Sequence, residues 1–263
     1  MPTTEKHKPS IIAMCGKGGV GKTSLSAMIV KILLKNPTNK VLAIDADPAI
    51  GLASALGIEV TKTVDDIRND LIRQLSEGDS VDRRDLLSWI DYEMLTAIED
   101  HQNLAFLAIG RPEREGCYCR VNHILKDIIA SITTQFDYVV IDGEAGVEQV
   151  NRRVMEKVTH LVLVSDASAR GLKVAATIKE VAETAIEYDR LGLILNRLRD
   201  EEERHRVATN QDLNCLGWVP EDDTIRMIDI EGRSILDVPD GPAAFAAKDC
   251  ITALGVPGVE VST

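Results

Sequence analysis

The chain has 263 residues, with 42 acidic against 30 basic side chains and a formal charge of −12. That charge disfavours non-specific binding to nucleic acid or anionic lipid, since both select a basic surface, and no apolar run approaches the roughly 18 residues of a membrane span. Five scattered cysteines and a polar N-terminus, MPTTEKHKPS, are unlike a secreted disulfide framework, so the expectation is a soluble, cytoplasmic protein without nucleic-acid or membrane partners.

In chain order, the apolar run Ser10–Cys15 reads as a first strand, followed by CGKGGVGKTS and the helical pattern Leu25–Leu34. A second strand, Lys40–Asp45, ends in IDADPAIGL. Between Ile58 and Asn103 come two successive helical patterns: Ile67, Leu71 and Leu75, then Leu87, Ile90, Met94 and Ile98. These are expected to form a helical elaboration on one edge. Strands follow at Leu104–Ile109, Asp137–Asp142, His160–Ser165, Leu191–Asn196 and Leu213–Val219. The run RDEEERHR, Arg199–Arg206, reads as a solvated helical face. Near-continuous runs such as VLAID and YVVID suit strands covered on both faces. The alternation therefore predicts an α/β fold: three layers, with a mostly parallel twisted sheet between helices. No linker or repeat divides the sequence, so residues 1–263 are read as a single domain.

The segment Cys15–Ser24 satisfies G-x-x-x-x-G-K-[ST], after a strand and before a helix, as a phosphate-binding loop requires. Its glycines let consecutive backbone N–H groups face phosphate oxygens, and the helix N-terminus adds a favourable dipole. Gly16, Gly18, Gly19, Val20, Gly21 and Ser24 are assigned to that cradle. Lys22 supplies a point charge between the β- and γ-phosphates, and Thr23 a hydroxyl ligand for Mg²⁺. Asp45 and Asp142 stand at the carboxyl ends of strands, where open α/β sheets gather ligands. Guanine-binding proteins read their base with Asn-Lys-x-Asp. Here LILNRLRD keeps Asn196 but places Arg199 in the aspartate position, which favours adenine and hence ATP.

The pair Cys117 and Cys119 in GCYC is, on spacing alone, a redox couple, half of a metal site, or two ordinary thiols. Cys15, Cys215 and Cys250 lie in apolar or loop contexts and are read as structural.

The lysine after the first glycine, Lys17 in GKGGVGKT, gives the deviant Walker A form of the loop. On it the chain resembles the dimeric P-loop ATPases that include the MinD and ParA proteins, the nitrogenase iron protein and the metal-centre maturation ATPases. The resemblance implies an ATP-hydrolysing homodimer in which Lys17 reaches the partner's nucleotide. Asp47 would lie in switch I and activate the attacking water, with Asp45 supporting the Mg²⁺ shell or the lysine. VVIDGEAG resembles a Walker B strand entering switch II, so Asp142 would hold Mg²⁺ through water and the Gly146 N–H would sense the γ-phosphate. Asn196 and the Val219–Asp223 loop, through Pro220 and Glu221, would contact adenine.

Within that family GCYC and the EAG of switch II resemble the CooC-type accessory ATPases, which serve nickel insertion into carbon monoxide dehydrogenase and related enzymes. The segment that follows switch II directly, GEAGVEQVNRRVMEKV, has no cysteine, as an iron protein would need, and C-x-x-C is absent. Two thiolates per chain are half of an S₄ shell that a two-fold axis would complete for Ni²⁺, with Zn²⁺ suited to the same donors. The resemblance thus implies a metallochaperone whose partners are its own second copy and a client metalloenzyme. A positioning or partitioning ATPase and an Fe–S-carrying ATPase are the alternatives. The sequence departs from the CooC-type pattern at Gln149, where that pattern has histidine, and at Gly143, where it has a larger residue.

Overall fold

Strand β1 (Ser10–Gly16) is buried along its whole length, and its side chains alternate between two cores. Ile11, Ala13 and Cys15 enter one, while Ile12 and Met14 enter the other. A strand covered on both faces cannot show polar alternation, which is why the apolar runs are continuous. The computed structural model describes residues 8–76, 83–111, 119–144, 146–207 and 213–260.

The other strands are β2 (Val41–Asp45), β3 (Ile98–His101), β4 (Leu104–Ala108), β5 (Tyr138–Asp142), β6 (Lys157–Ser165), β7 (Glu187–Leu198) and β8 (Cys215–Pro220). They form one sheet in the order β3-β4-β2-β5-β1-β6-β7-β8. Only β3 is antiparallel to its neighbour. The mostly parallel α/β sheet expected from the sequence is therefore present. Because β1 lies between β5 and β6, the connections diverge on either side of it. That reversal opens a crevice at the carboxyl ends of the strands, where α/β proteins bind ligands. The register puts Asp45 beside Asp142 at that edge.

On one face lie α1 (Lys22–Leu34), α2 (Gly51–Leu56), α9 (Asp223–Glu231) and α10 (Pro242–Leu254). Leu25, Ile29 and Leu33 of α1 are almost completely excluded from solvent. Each contributes about 1.5–3 kcal/mol by burial. The opposite face carries α3 (Val64–Ser76), α4 (Arg83–Thr96), α5 (Cys119–Thr133), α6 (Val147–Arg153) and α7 (Ala169–Ala185), with α8 (Glu201–Val207) beside β7. Among the described residues no helix is long and apolar enough to cross a membrane.

The expected elaboration is present as α3 and α4, with two corrections. Ile98 does not continue α4. It begins β3, and Gln102, at φ 58°, helps close the two-residue turn that folds β3 back onto β4. Leu75 and Leu87 keep the helical spacing but remain exposed. Strands β6 and β7 also run past the expected ends, because sheet pairing holds polar residues such as Lys157 and Glu187 that a hydropathy pattern leaves out, whereas β8 begins at Cys215 rather than Leu213 and ends at Pro220.

Candidate nucleotide site

In the turn from β1 into α1, Gly16 and Gly21 leave no room for a side chain. A Cβ on Gly16 would come within 2.2 Å of Val164 O, and Gly21 takes φ 87° to start α1. Lys22 is buried and donates through Nζ to Gly16 O (3.0 Å) and Lys17 O (3.3 Å), curling over the loop it belongs to. Gly18 and Gly19 are exposed and Lys17 is half-buried, so the outer lip of the loop faces solvent.

Thr23 Oγ1 donates to Asp142 Oδ2 at 2.7 Å, and Ser26 Oγ donates to Asp142 Oδ1 at 3.0 Å. Burial pushes the Asp142 carboxyl up to about 6, against the opposing pull of these hydrogen bonds and of Lys22. Asp45 is fully buried and pushed up to about 7 by burial, with the Asp142 charge adding to the effect. Two buried carboxylates in neighbouring register, beside a threonine hydroxyl, form a hard-oxygen environment whose unfavourable charge a divalent cation relieves. These residues fit Mg²⁺.

Asp45 also has a role that sequence reasoning did not assign. Its oxygens accept from Asp47 N (3.0 Å) and Leu52 N (2.8 Å), fixing the segment between β2 and α2. Within that segment Ile50 sits at φ 53°, a left-handed conformation that costs a β-branched residue of order 1–3 kcal/mol. Asp47 is half-buried, accepts from Ala49 N, and lines one end of the cleft with the loop and Thr23. Gly146 precedes α6, and among the described residues no atom lies within 4 Å of the Cβ it lacks. Gly143 is the opposite case. A Cβ there would meet Met14 O at 2.5 Å, which explains a glycine directly after Asp142.

Asn196 is buried, and its Nδ2 donates to Val20 O at 2.8 Å, bracing the back of the loop and leaving Oδ1 as an acceptor. Pro220 and Glu221 line a cavity of about 420 Å³ beside it. Two contributors were missed in the sequence. Ser26 stands one turn beyond Thr23 and shares Asp142. Arg197, at φ 60°, extends over the loop and donates to Gly19 O at 3.2 Å. The signal for Arg197 was its place directly after Asn196.

The model of the CobQ/CobB/MinD/ParA nucleotide-binding domain matches residues 11–235. The chain belongs to this family. It is a nucleotide-binding ATPase of the MinD/ParA type. It is 36% identical over 239 residues to the uncharacterized ATP-binding protein MJ0685 of Methanocaldococcus jannaschii, covering 89% of this chain and 94% of that one. The carbon monoxide dehydrogenase accessory protein CooC of Rhodospirillum rubrum is 28% identical over 237 residues, covering 86% and 89%. In fold it is similar to MinD of Pyrococcus horikoshii, solved with Mg-ADP, with a TM-score of 0.66, 23% identity, and coverage of 97% and 100%.

The cysteines fall differently. Cys117 lies outside the described residues, and Cys119 is the first residue of α5. Among the described residues no group of three or more His, Cys, Asp or Glu is placed to hold a metal ion. Cys15 and Cys250 are buried, as expected of structural thiols, whereas Cys215 is exposed at the start of β8.

Proposed function

We propose that this ATPase is a cytoplasmic, homodimeric metallochaperone that couples Mg-ATP turnover to the handling of Ni²⁺ for a client metalloenzyme such as carbon monoxide dehydrogenase. The observation that carries this reading is the sequence pair Cys117 and Cys119 in a chain 28% identical to a protein named for that maturation. In this reading the amides of Gly16, Gly18, Gly19, Val20, Gly21 and Ser24, with Lys22, bind the phosphates. Thr23 and Asp142 hold Mg²⁺, which when bound neutralises charge on the phosphates. Asp47 orients water, Gly146 senses the terminal phosphate, and Lys17 completes the partner's site. Asn196, Pro220 and Glu221 receive adenine, a role supported by their shared cavity.

The metal is cargo. Cys117 and Cys119 from each of two copies would supply four thiolates, a soft donor set suited to Ni²⁺ and also to Zn²⁺. Since the ligands come in pairs from two chains, metal affinity would follow dimer geometry, which nucleotide sets.

Metal content measured by anaerobic equilibrium dialysis tests this. The wild-type protein should hold about one Ni²⁺ per dimer, and the Cys117→Ser/Cys119→Ser variant none. Stoichiometric nickel on the double variant would end the metallochaperone reading. Nucleotide-dependent binding to anionic vesicles would favour a positioning ATPase, and a brown, visibly absorbing protein would favour an Fe–S carrier.

A further inference from the structure

The cleft beside the phosphate loop is divided. One compartment, about 400 Å³, is walled by the loop, Thr23, Asp47 and Arg233, and the other, about 420 Å³, by Asn196, Val219, Pro220 and Glu221. Four residues line both: Ser24, Arg197, Ile225 and Asp229. These four mark the neck between the compartments. Ile225 and Asp229 are four residues apart on α9 and so share one helix face. The helix is fixed over the cleft by the Asp222 cap on Thr224 N, by buried Ile228 and by Gly232, which ends it in the left-handed conformation.

Of the four neck residues, the Ile225 side chain offers no hydrogen bond, the Arg197 guanidinium only donates, and the Ser24 hydroxyl can do either. Asp229 is the one that can only accept. A carboxylate beside a polyphosphate is repelled unless a donor lies between them. A nucleotide with its base in one compartment and its phosphates in the other carries its sugar at the neck, and the sugar's donors there are its hydroxyls. We propose that Asp229 accepts a hydrogen bond from the ribose hydroxyls of the bound nucleotide and makes the site selective for ribonucleotides over their deoxy forms. This rests on the assignment of the cleft to a nucleotide. It adds a reader of the sugar, on α9, to the assigned readers of base and phosphate.

The dissociation constants of ATP, 2′-deoxy-ATP and 3′-deoxy-ATP, measured by calorimetry on wild type, Asp229→Asn and Asp229→Ala, test it. Wild type should bind at least one deoxy analogue about tenfold or more weakly than ATP, the usual effect of losing a hydrogen bond to a charged group. Asp229→Ala should bind all three within about twofold of one another, with Asp229→Asn between. A residue that only supports the helix would weaken all three ligands equally and leave their ratios unchanged. Equal constants on wild type, or discrimination that survives in Asp229→Ala, would overturn the proposal alone. Failure of wild type to bind ATP at all would overturn the nucleotide assignment, and the proposal with it.

Discussion

Thr23 Oγ1 lies 2.7 Å from Asp142 Oδ2, so the first turn of α1 is tied to the end of β5 by one hydroxyl–carboxylate bond. Ser26 holds the other oxygen from the next turn. The carboxylate is thus held in place before any cation arrives, although burial makes its charge unfavourable. Asp142→Asn should lower Mg²⁺ affinity in the ATP complex about 10–100-fold, as loss of a group that orients a metal's ligands does. Its unfolding free energy should stay level or rise by about 1 kcal/mol, because the buried charge is gone. Metal titration of ATPase activity and urea denaturation check the two halves. A large loss of stability would mean that the bond serves the fold rather than the metal.

Asp45 gives the protein a pH dependence of definite sign. Its carboxyl is pushed from 3.8 up to about 7, with burial the largest cause and the Asp142 charge the next. Between those values the folded chain holds a proton that the unfolded chain has released, so stability falls as pH rises through the window. Thermal unfolding of the metal-free protein should show a lower Tm at about pH 8 than at about pH 5.5, with the slope reduced in Asp45→Asn. Mg-ATP should reduce it in wild type as well. Parallel profiles for wild type and variant would show that Asp45 is not the group responsible.

Gly143 and Gly146 bracket the segment after β5 and should respond oppositely to the same substitution. In Gly143→Ala the new Cβ meets Met14 O at 2.5 Å, a backbone atom of β1 that cannot move without disturbing the sheet. Overpacking of this kind costs about 1–3 kcal/mol. In Gly146→Ala the new carbon meets none of the described residues within 4 Å, and the change should stay within about 0.5 kcal/mol. Chemical denaturation of the two variants side by side decides this, and equal losses would contradict it.

The legible parts of the sequence were those in which one local rule acts alone. The loop from Gly16 to Thr23 announced itself because the glycines, the lysine and the hydroxyl each have a phosphate-binding reason to be there, and the strands around it are apolar on both faces. Ile98 misled because its spacing from Met94 fits a helix as well as its partner Leu107 fits a hairpin, and only tertiary pairing chooses between them. Asp45 was legible as an acid at a strand end, but its bonds to Asp47 N and Leu52 N depend on how the chain turns back after β2. Asp229 carried no local signal. It matters through α9 lying across the cleft, an arrangement set by contacts distant in sequence.

The three cysteines outside the C-x-C pair differ enough to be counted chemically. Removing Cys117 and Cys119 from the five in the sequence leaves Cys15, Cys215 and Cys250. Burial pushes the Cys15 and Cys250 thiols up to about 12, so at neutral pH neither offers a reactive thiolate, and neither sulfur faces solvent. Cys215 is exposed. In the Cys117→Ser/Cys119→Ser variant an aromatic disulfide reagent should therefore titrate one thiol quickly in the native protein and three after denaturation. Adding Cys215→Ser should abolish the native reaction and leave the buried pair untouched. The count bears directly on the nickel experiment, because a variant left with one accessible thiol lacks the soft donors to hold a metal at stoichiometry. Two or more fast thiols in the native double variant would show that Cys15 or Cys250 becomes exposed in solution, and that residual metal could bind there.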